Sequence, residues 1–229
     1  MTAIEVKNLT VTANGVKLLD NVSFSVKKGE FITILGSNGA GKTTVLKSIM
    51  GFIKAAHGGI YIEGEKVKQS NAHAVRKKIS YMPQSFEVDR FFPVSCGDIL
   101  HMAAGAGAGI KTIAKEFEIE KLLGAPFGLV SGGEKQKVML AMVLSRNPEI
   151  LLLDEPGLHL DPKSHAGFMK LVDSIYTKRK LTILFVTHLI NHTPVSSGKT
   201  VVLKNGELLF FGCKKELLKK NDLLEFVYD

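Results

Sequence analysis

The sequence predicts an α/β fold: a mostly parallel sheet with an antiparallel β layer near its start and a helical insert in the middle. Three observations lead there. Residues 1–35 alternate apolar and polar in the manner of half-buried strands. Three apolar runs, Phe31–Leu35, Ile150–Leu153 and Thr182–Val186, read as strands buried on both faces. Helical stretches separate those runs.

In chain order, Ile4 and Val6, then Val22, Phe24 and Val26, form two period-2 strands around the turn signal Asn14-Gly15. Phe31–Leu35 ends at Gly36, and Lys42–Met50 reads as a helix. Ile60 and Ile62, closed by Gly64, suggest a further edge strand of the antiparallel layer. The pattern weakens from Phe86 to Lys121, where the small-residue stretch from Ala103 to Gly109 reads as a loosely packed loop or helix end. A helix over Gly132–Ser145, the strand Ile150–Leu153, a helix from Pro162 and the strand Thr182–Val186 follow.

With 45% hydrophobic and 23% charged residues, the 229-residue chain can bury a core and does not read as disordered. A net charge of +8 suits an anionic ligand, nucleic acid or a membrane surface without choosing among them. Cys96 and Cys213 offer neither a metal-finger spacing nor a disulfide framework. The N-terminus lacks the apolar run of a signal peptide, and no apolar stretch is long enough to span a bilayer, so a soluble, cytoplasmic protein is expected.

Gly36-Ser37-Asn38-Gly39-Ala40-Gly41-Lys42-Thr43 satisfies G-x-x-x-x-G-K-[ST] between a buried strand and a helix, with Thr44 next. Glycines let the backbone curl so that successive N–H groups face phosphate oxygens. Lys42 adds a point charge for the β- and γ-phosphates, and the Thr43 hydroxyl suits Mg²⁺. The strand ending in Asp154-Glu155 delivers two acids where ligands of open α/β sheets gather. Asp154 is placed to hold Mg²⁺ through water, and Glu155 to polarise an attacking water. These residues predict a nucleoside triphosphatase.

Ser131-Gly132-Gly133-Glu134 forms a capping box, yet two glycines in a first turn cost about 1 kcal/mol each. They make sense if backbone donors must approach a second anion. This segment resembles the signature motif of the ABC (ATP-binding cassette) ATPases. The resemblance extends from Ile4 to about Gly212 and implies a P-loop NTPase core of RecA-like type. It makes Gln84 the Q-loop residue, which also reaches Mg²⁺, Asp161 the D-loop residue and His188 the switch histidine contacting the γ-phosphate. Asp161-Pro162 also reads as a plain helix cap. The i, i+4 pair His188 and His192 could suggest a metal site, but Pro194 and the lack of a third nearby ligand argue against it.

The chain departs from the family where an adenine-stacking aromatic is usual. Ala13-Asn14-Gly15-Val16 stands there, with Val16 left to give apolar contact. Val130 replaces the usual Leu, Glu134 the common Gln, and the turn Gly157-Leu158-His159-Leu160 is atypical.

The resemblance implies a single domain over residues 1–229. Residues 1–85 and 146–229 would form the catalytic core and antiparallel layer, and 86–145 the helical subdomain. It further implies ATP and Mg²⁺ as ligands, and a head-to-tail homodimer, or a pair with a second ABC subunit, in which Ser131, Gly132 and Gly133 close on ATP held by the facing copy. A membrane permease at the cytoplasmic face of the cell membrane would be the direct partner, and an extracytoplasmic solute-binding protein an indirect one. No nucleic acid is expected, since no aromatic-interleaved basic stripe is present.

Without coiled-coil insertions or a second cassette, the chain resembles the separate ATPase subunit of an importer. The run from Pro83 to Val94, with Gln84, Glu87, Asp89, Phe91, Phe92 and Pro93, resembles ATPases of zinc, manganese and iron importers. Amino-acid, cobalamin/siderophore and lipid importers, or a soluble ABC ATPase outside transport, are the alternatives. Phe91 and Phe92 are expected either in the core of the helical lobe or in a groove that receives a permease helix.

Overall fold

The computed structural model describes residues 1–86, 88, 89, 92–104, 109–158 and 160–220. Glu87, Arg90, Phe91, residues 105–108 of the small-residue stretch and His159 lie outside the described residues. Ten strands, β1 (Thr2–Ala13), β2 (Val16–Lys27), β3 (Phe31–Leu35), β4 (His57–Ile62), β5 (Glu65–Lys66), β6 (Ile79–Met82), β7 (Ile150–Asp154), β8 (Thr182–Thr187), β9 (Lys199–Lys204) and β10 (Glu207–Cys213), form two sheets among these residues. Their helices are α1 (Lys42–Ile49), α2 (Ala72–Lys78), α3 (Cys96–Ala104), α4 (Ile110–Glu116), α5 (Gly132–Leu144), α6 (Pro162–Arg179) and α7 (Lys214–Leu217).

The first sheet is antiparallel, in the order β2-β1-β4-β5. Asn14 and Gly15, both at positive φ (49° and 77°), join β1 to β2, the backbone a tight hairpin with right-twisted strands requires. The strand around Ile60 and Ile62 is not the outermost, because the two-residue β5 pairs beyond it. Each hairpin strand runs 12 residues, longer than the short alternating runs suggested.

The second sheet has the order β10-β9-β3-β8-β7-β6. All pairings are parallel except β10 with β9. Every residue of β3, β7 and β8 is buried, as continuous apolar runs in a two-sided sheet should be. Strand alternation then splits the core. Ile32, Ile34, Leu152 and Leu184 pack with α1 and the antiparallel layer. Phe31, Leu151, Leu153, Ile183 and Phe185 pack with residues of α3, α4, α5 and α6. The helical segment thus shares one apolar cluster with a face of the parallel sheet. This layering brings the C-terminal ends of β3, β8 and β7 side by side, at Leu35, Thr187 and Asp154. No helix among the described residues is long and apolar enough to cross a membrane.

Candidate active site

The loop between β3 and α1 takes a path that only glycine fits at two points. A Cβ on Gly36 would stand 2.4 Å from the Leu203 carbonyl oxygen. Gly41 has φ +98°, and a Cβ there would meet Leu19 Cδ2 at 2.6 Å. Inside the curl, Lys42 Nζ donates to the carbonyls of Gly36 and Ser37 at 2.8 and 2.9 Å. A cavity of about 290 Å³ opens beside it, lined by Leu18, the consecutive residues Asn38 to Thr44, Gln84 and Glu155. A backbone curled around a buried cation, opening a helix and facing a cavity, fits a polyphosphate.

Val16, expected near the base, is not in this lining. It is 62% exposed at the start of β2, and Leu18 takes the wall. The two residues share a face of β2, but Val16 is the exposed first residue of the strand, next to the hairpin turn, whereas Leu18 lies one step further in and is half-buried.

Two acids close the site from β7. The Thr43 hydroxyl donates to Asp154 Oδ2 at 2.9 Å and lies 3.2 Å from Oδ1. Hydroxyl and carboxylate oxygens side by side are a donor set suited to a hard cation such as Mg²⁺. The Tyr81 hydroxyl donates to Asp154 Oδ2 at 2.9 Å from the neighbouring strand β6. Burial pushes the Asp154 carboxyl above its ordinary value, while the hydrogen bonds from Tyr81 and Thr43 pull it down. Burial, then the Asp154 charge, pushes the Tyr81 phenol up, so it stays a donor. The sequence reading missed Tyr81. Its only sequence signal is a phenol in a short strand next to the acidic one.

Glu155 is buried, with φ +46°, a conformation costly for a non-glycine residue. Its Oε1 lies 3.2 Å from Lys42 Nζ, and Oε2 lies 2.9 Å from His188 Nδ1. The cation, the carboxylate and the imidazole therefore form one chain at the mouth of the phosphate loop.

His192 belongs to a 3₁₀ turn, Ile190–His192, so it does not share a helix face with His188. Its ring packs on His165, with centroids 4.0 Å apart. Burial lowers the pKa of both rings. No group of three or more metal-ligating side chains occurs among the described residues.

Gln84 lines the phosphate-loop cavity and also a smaller groove of about 110 Å³, beside Pro83, Phe86, Phe127 and Gly132. Phe92 is 58% exposed and lines neither, which removes it from the core of the helical segment. Phe86 holds the groove instead, edge-on to Phe127 with centroids 5.9 Å apart. Of the two residues expected in the core or in a groove, Phe92 is in neither and Phe91 lies outside the described residues, while Phe86, partly exposed, lines the groove.

Ser131 caps α5 and makes the full capping box with Glu134. Gly133 has a packing reason too, since a Cβ there would stand 3.1 Å from Ser164 of α6, whereas one on Gly132 would make only ordinary contact with Leu160. Asp161 caps α6, accepting from the Lys163 and Ser164 amides at 3.0 Å each. Ser131, Gly132, Gly133 and Asp161 do not line the phosphate-loop cavity of their own chain.

Comparison with known proteins adds four findings. The ABC transporter family model matches residues 19–157. The zinc import ATP-binding protein ZnuC of Pseudomonas savastanoi pv. phaseolicola is 32% identical over 203 residues, 88% of this chain and 72% of that protein. The energy-coupling factor transporter ATP-binding protein EcfA of Methanococcus maripaludis is 29% identical over 97% of this chain and 83% of its own length. The dimeric bacterial ABC transporter cassette MJ0796 superposes with a TM-score of 0.80 at 27% identity, over 92% of this chain and 98% of that one.

Proposed function

This chain belongs to the ABC transporter family as an ATP-hydrolysing subunit of a transporter, and from that premise we propose that it powers import of divalent metal ions through a separate permease. The observation that carries the catalytic part is the bridge from Lys42 through Glu155 to His188 at the phosphate loop. Lys42 and the amides of residues 36–44 bind the phosphates of ATP. Thr43 and Asp154 hold Mg²⁺, with Gln84 at the edge of the cavity. When bound, the ion neutralises charge on the β- and γ-phosphate oxygens.

Phosphate in the loop competes with Glu155 for Lys42. Glu155, thereby released, takes a proton from the attacking water, and His188 holds both the carboxylate and the γ-phosphate in place. Leu18, with Val16 beyond it, gives the base apolar contact. Ser131, Gly132, Gly133 and Asp161 act on ATP held by a facing copy. The dimeric state of the cassette MJ0796 supports that arrangement, as does their absence from the cavity of their own chain. Gln84, shared by cavity and groove, transmits nucleotide state to a permease helix seated against Phe86.

The zinc-import relative supports the metal cargo, together with the run from Pro83 to Val94. The energy-coupling-factor relative, matched over nearly all of this chain, favours a second reading with another cargo. Co-expression with candidate permeases, followed by ATP-driven uptake into vesicles, separates the two. Zinc, manganese or iron accumulation supports the metal reading. Uptake of an organic solute alone overturns it and leaves the ATPase intact.

A further inference from the structure

A cavity of about 470 Å³ opens between the antiparallel layer and the C-terminal end of α1, sharing no residue with the phosphate-loop cavity. Its volume falls within the range of about 300–1,000 Å³ in which small-molecule sites are found. The inner wall is apolar, with Leu9 and Ile60 buried and Ile53 and Val67 half-buried around them. Gly58 and Gly59 line it where β4 passes close to β1 and β5: a Cβ on Gly58 would stand 2.1 Å from the Lys7 carbonyl oxygen. A Cβ on Gly59 would stand 2.7 Å from Lys66 Cε, so the lysine stem crosses where another side chain would be.

The rim carries Lys54, Lys66 and Lys68, and no carboxylate lines the cavity. Among the described residues, neither Lys54 nor Lys68 forms an ion pair; Lys66 Nζ donates to the Gly58 carbonyl at 3.1 Å and lies 6.0 Å from the centre of the Tyr61 ring, without a carboxylate partner. Ser48, from α1, contributes to the wall, and its buried hydroxyl has no hydrogen-bond partner. Three like charges around an apolar hollow raise the local concentration of anions, and the low-dielectric wall focuses that field. Uncharged apolar molecules gain the wall but not the rim, and small inorganic anions gain the rim but not the wall.

We propose that this cavity binds a small monocarboxylate with an apolar body, the carboxylate among Lys54, Lys66 and Lys68 and the body against Leu9, Ile53, Ile60 and Val67. Ammonium groups act as point charges without the bidentate fork of arginine, which suits one compact anionic head. Ligand in the cavity touches the end of α1 opposite Lys42 and Thr43, so the nucleotide-binding helix forms part of its wall.

The test uses the whole chain with labelled isoleucine and valine methyl groups, titrated by NMR with octanoate, octanol and inorganic phosphate. Octanoate is expected to shift Ile53, Ile60 and Val67 saturably, and octanol to bind roughly tenfold more weakly, the equivalent of 1.4 kcal/mol. Phosphate alone should leave these methyls in place. The rim variant Lys54→Glu/Lys68→Glu, at exposed positions, should weaken octanoate roughly tenfold and leave octanol unchanged. Equal binding of octanol and octanoate, saturation by phosphate alone, an unaffected rim variant, or the absence of octanoate shifts at these methyls would each overturn the proposal.

Discussion

Lys42 Nζ lies 3.2 Å from Glu155 Oε1, and both side chains are buried, at 5% and 7% exposure. The cation proposed to bind phosphate is therefore held by the carboxylate proposed to activate water. Each charge is paired with the other, which matters because an unpaired buried charge is among the most costly features a fold can carry.

Lys42→Met removes the phosphate cation and leaves Glu155 buried without it. ATP binding should be lost, and urea unfolding of the nucleotide-free protein should show a loss of about 3 kcal/mol. Adding Glu155→Gln should restore most of that stability and none of the binding. Equal stability of the single and double variants would mean that the pair carries no coupling.

Tyr81→Phe removes a hydrogen bond that favours the Asp154 carboxylate, while burial already favours its protonated form. Its carboxyl pKa should rise further. The acid limb of Mg²⁺-dependent ATPase activity should then move to higher pH, and the Mg²⁺ requirement should increase, with maximal turnover little changed. An unmoved acid limb would show that Tyr81 does not act on Asp154.

Glu63 holds Lys28 and Lys78 together, and their hydrogen bonds, Lys28 first, lower its carboxyl pKa from 4.5 to about 2. The stabilisation is fully present above the unfolded value near pH 4.5 and is lost as pH falls through about 2. Because both lysines are exposed, solvent screening limits it to about 1 kcal/mol. Glu63→Gln should cost that amount at neutral pH, and thermal melts of the two proteins should converge in strong acid.

The buried strands, the phosphate loop and the acidic pair were legible because each depends on local chemistry: continuous apolar runs, required glycines, and acids at a strand end. The three outer strands were harder. Nothing in Ile79–Met82 distinguishes a four-residue strand from a loop, because its place is set by pairing with β7. The β9-β10 hairpin did carry a signal, since Asn205-Gly206 repeats the Asn14-Gly15 turn, with positive φ at both residues. Tyr81, Leu18 and Phe86 reach their sites through strand register and loop path, which single-chain spacing does not encode.

Phe86→Ala should keep ATPase activity within about twofold while weakening co-purification with the permease roughly tenfold, as loss of an aromatic anchor does. Phe92→Ala, outside the groove, should leave that association unchanged. The reverse ranking would move the docking surface away from the groove beside Gln84.

Sedimentation of Glu155→Gln with ATP and Mg²⁺, followed by analysis of the nucleotide it carries, tests the central claim most directly. General-base loss should slow hydrolysis by about 100-fold or more. A species of twice the monomer mass, holding uncleaved ATP and dispersing to monomer when nucleotide is removed, is expected. A monomer at every protein concentration, or a species carrying ADP formed at the wild-type rate, would contradict it.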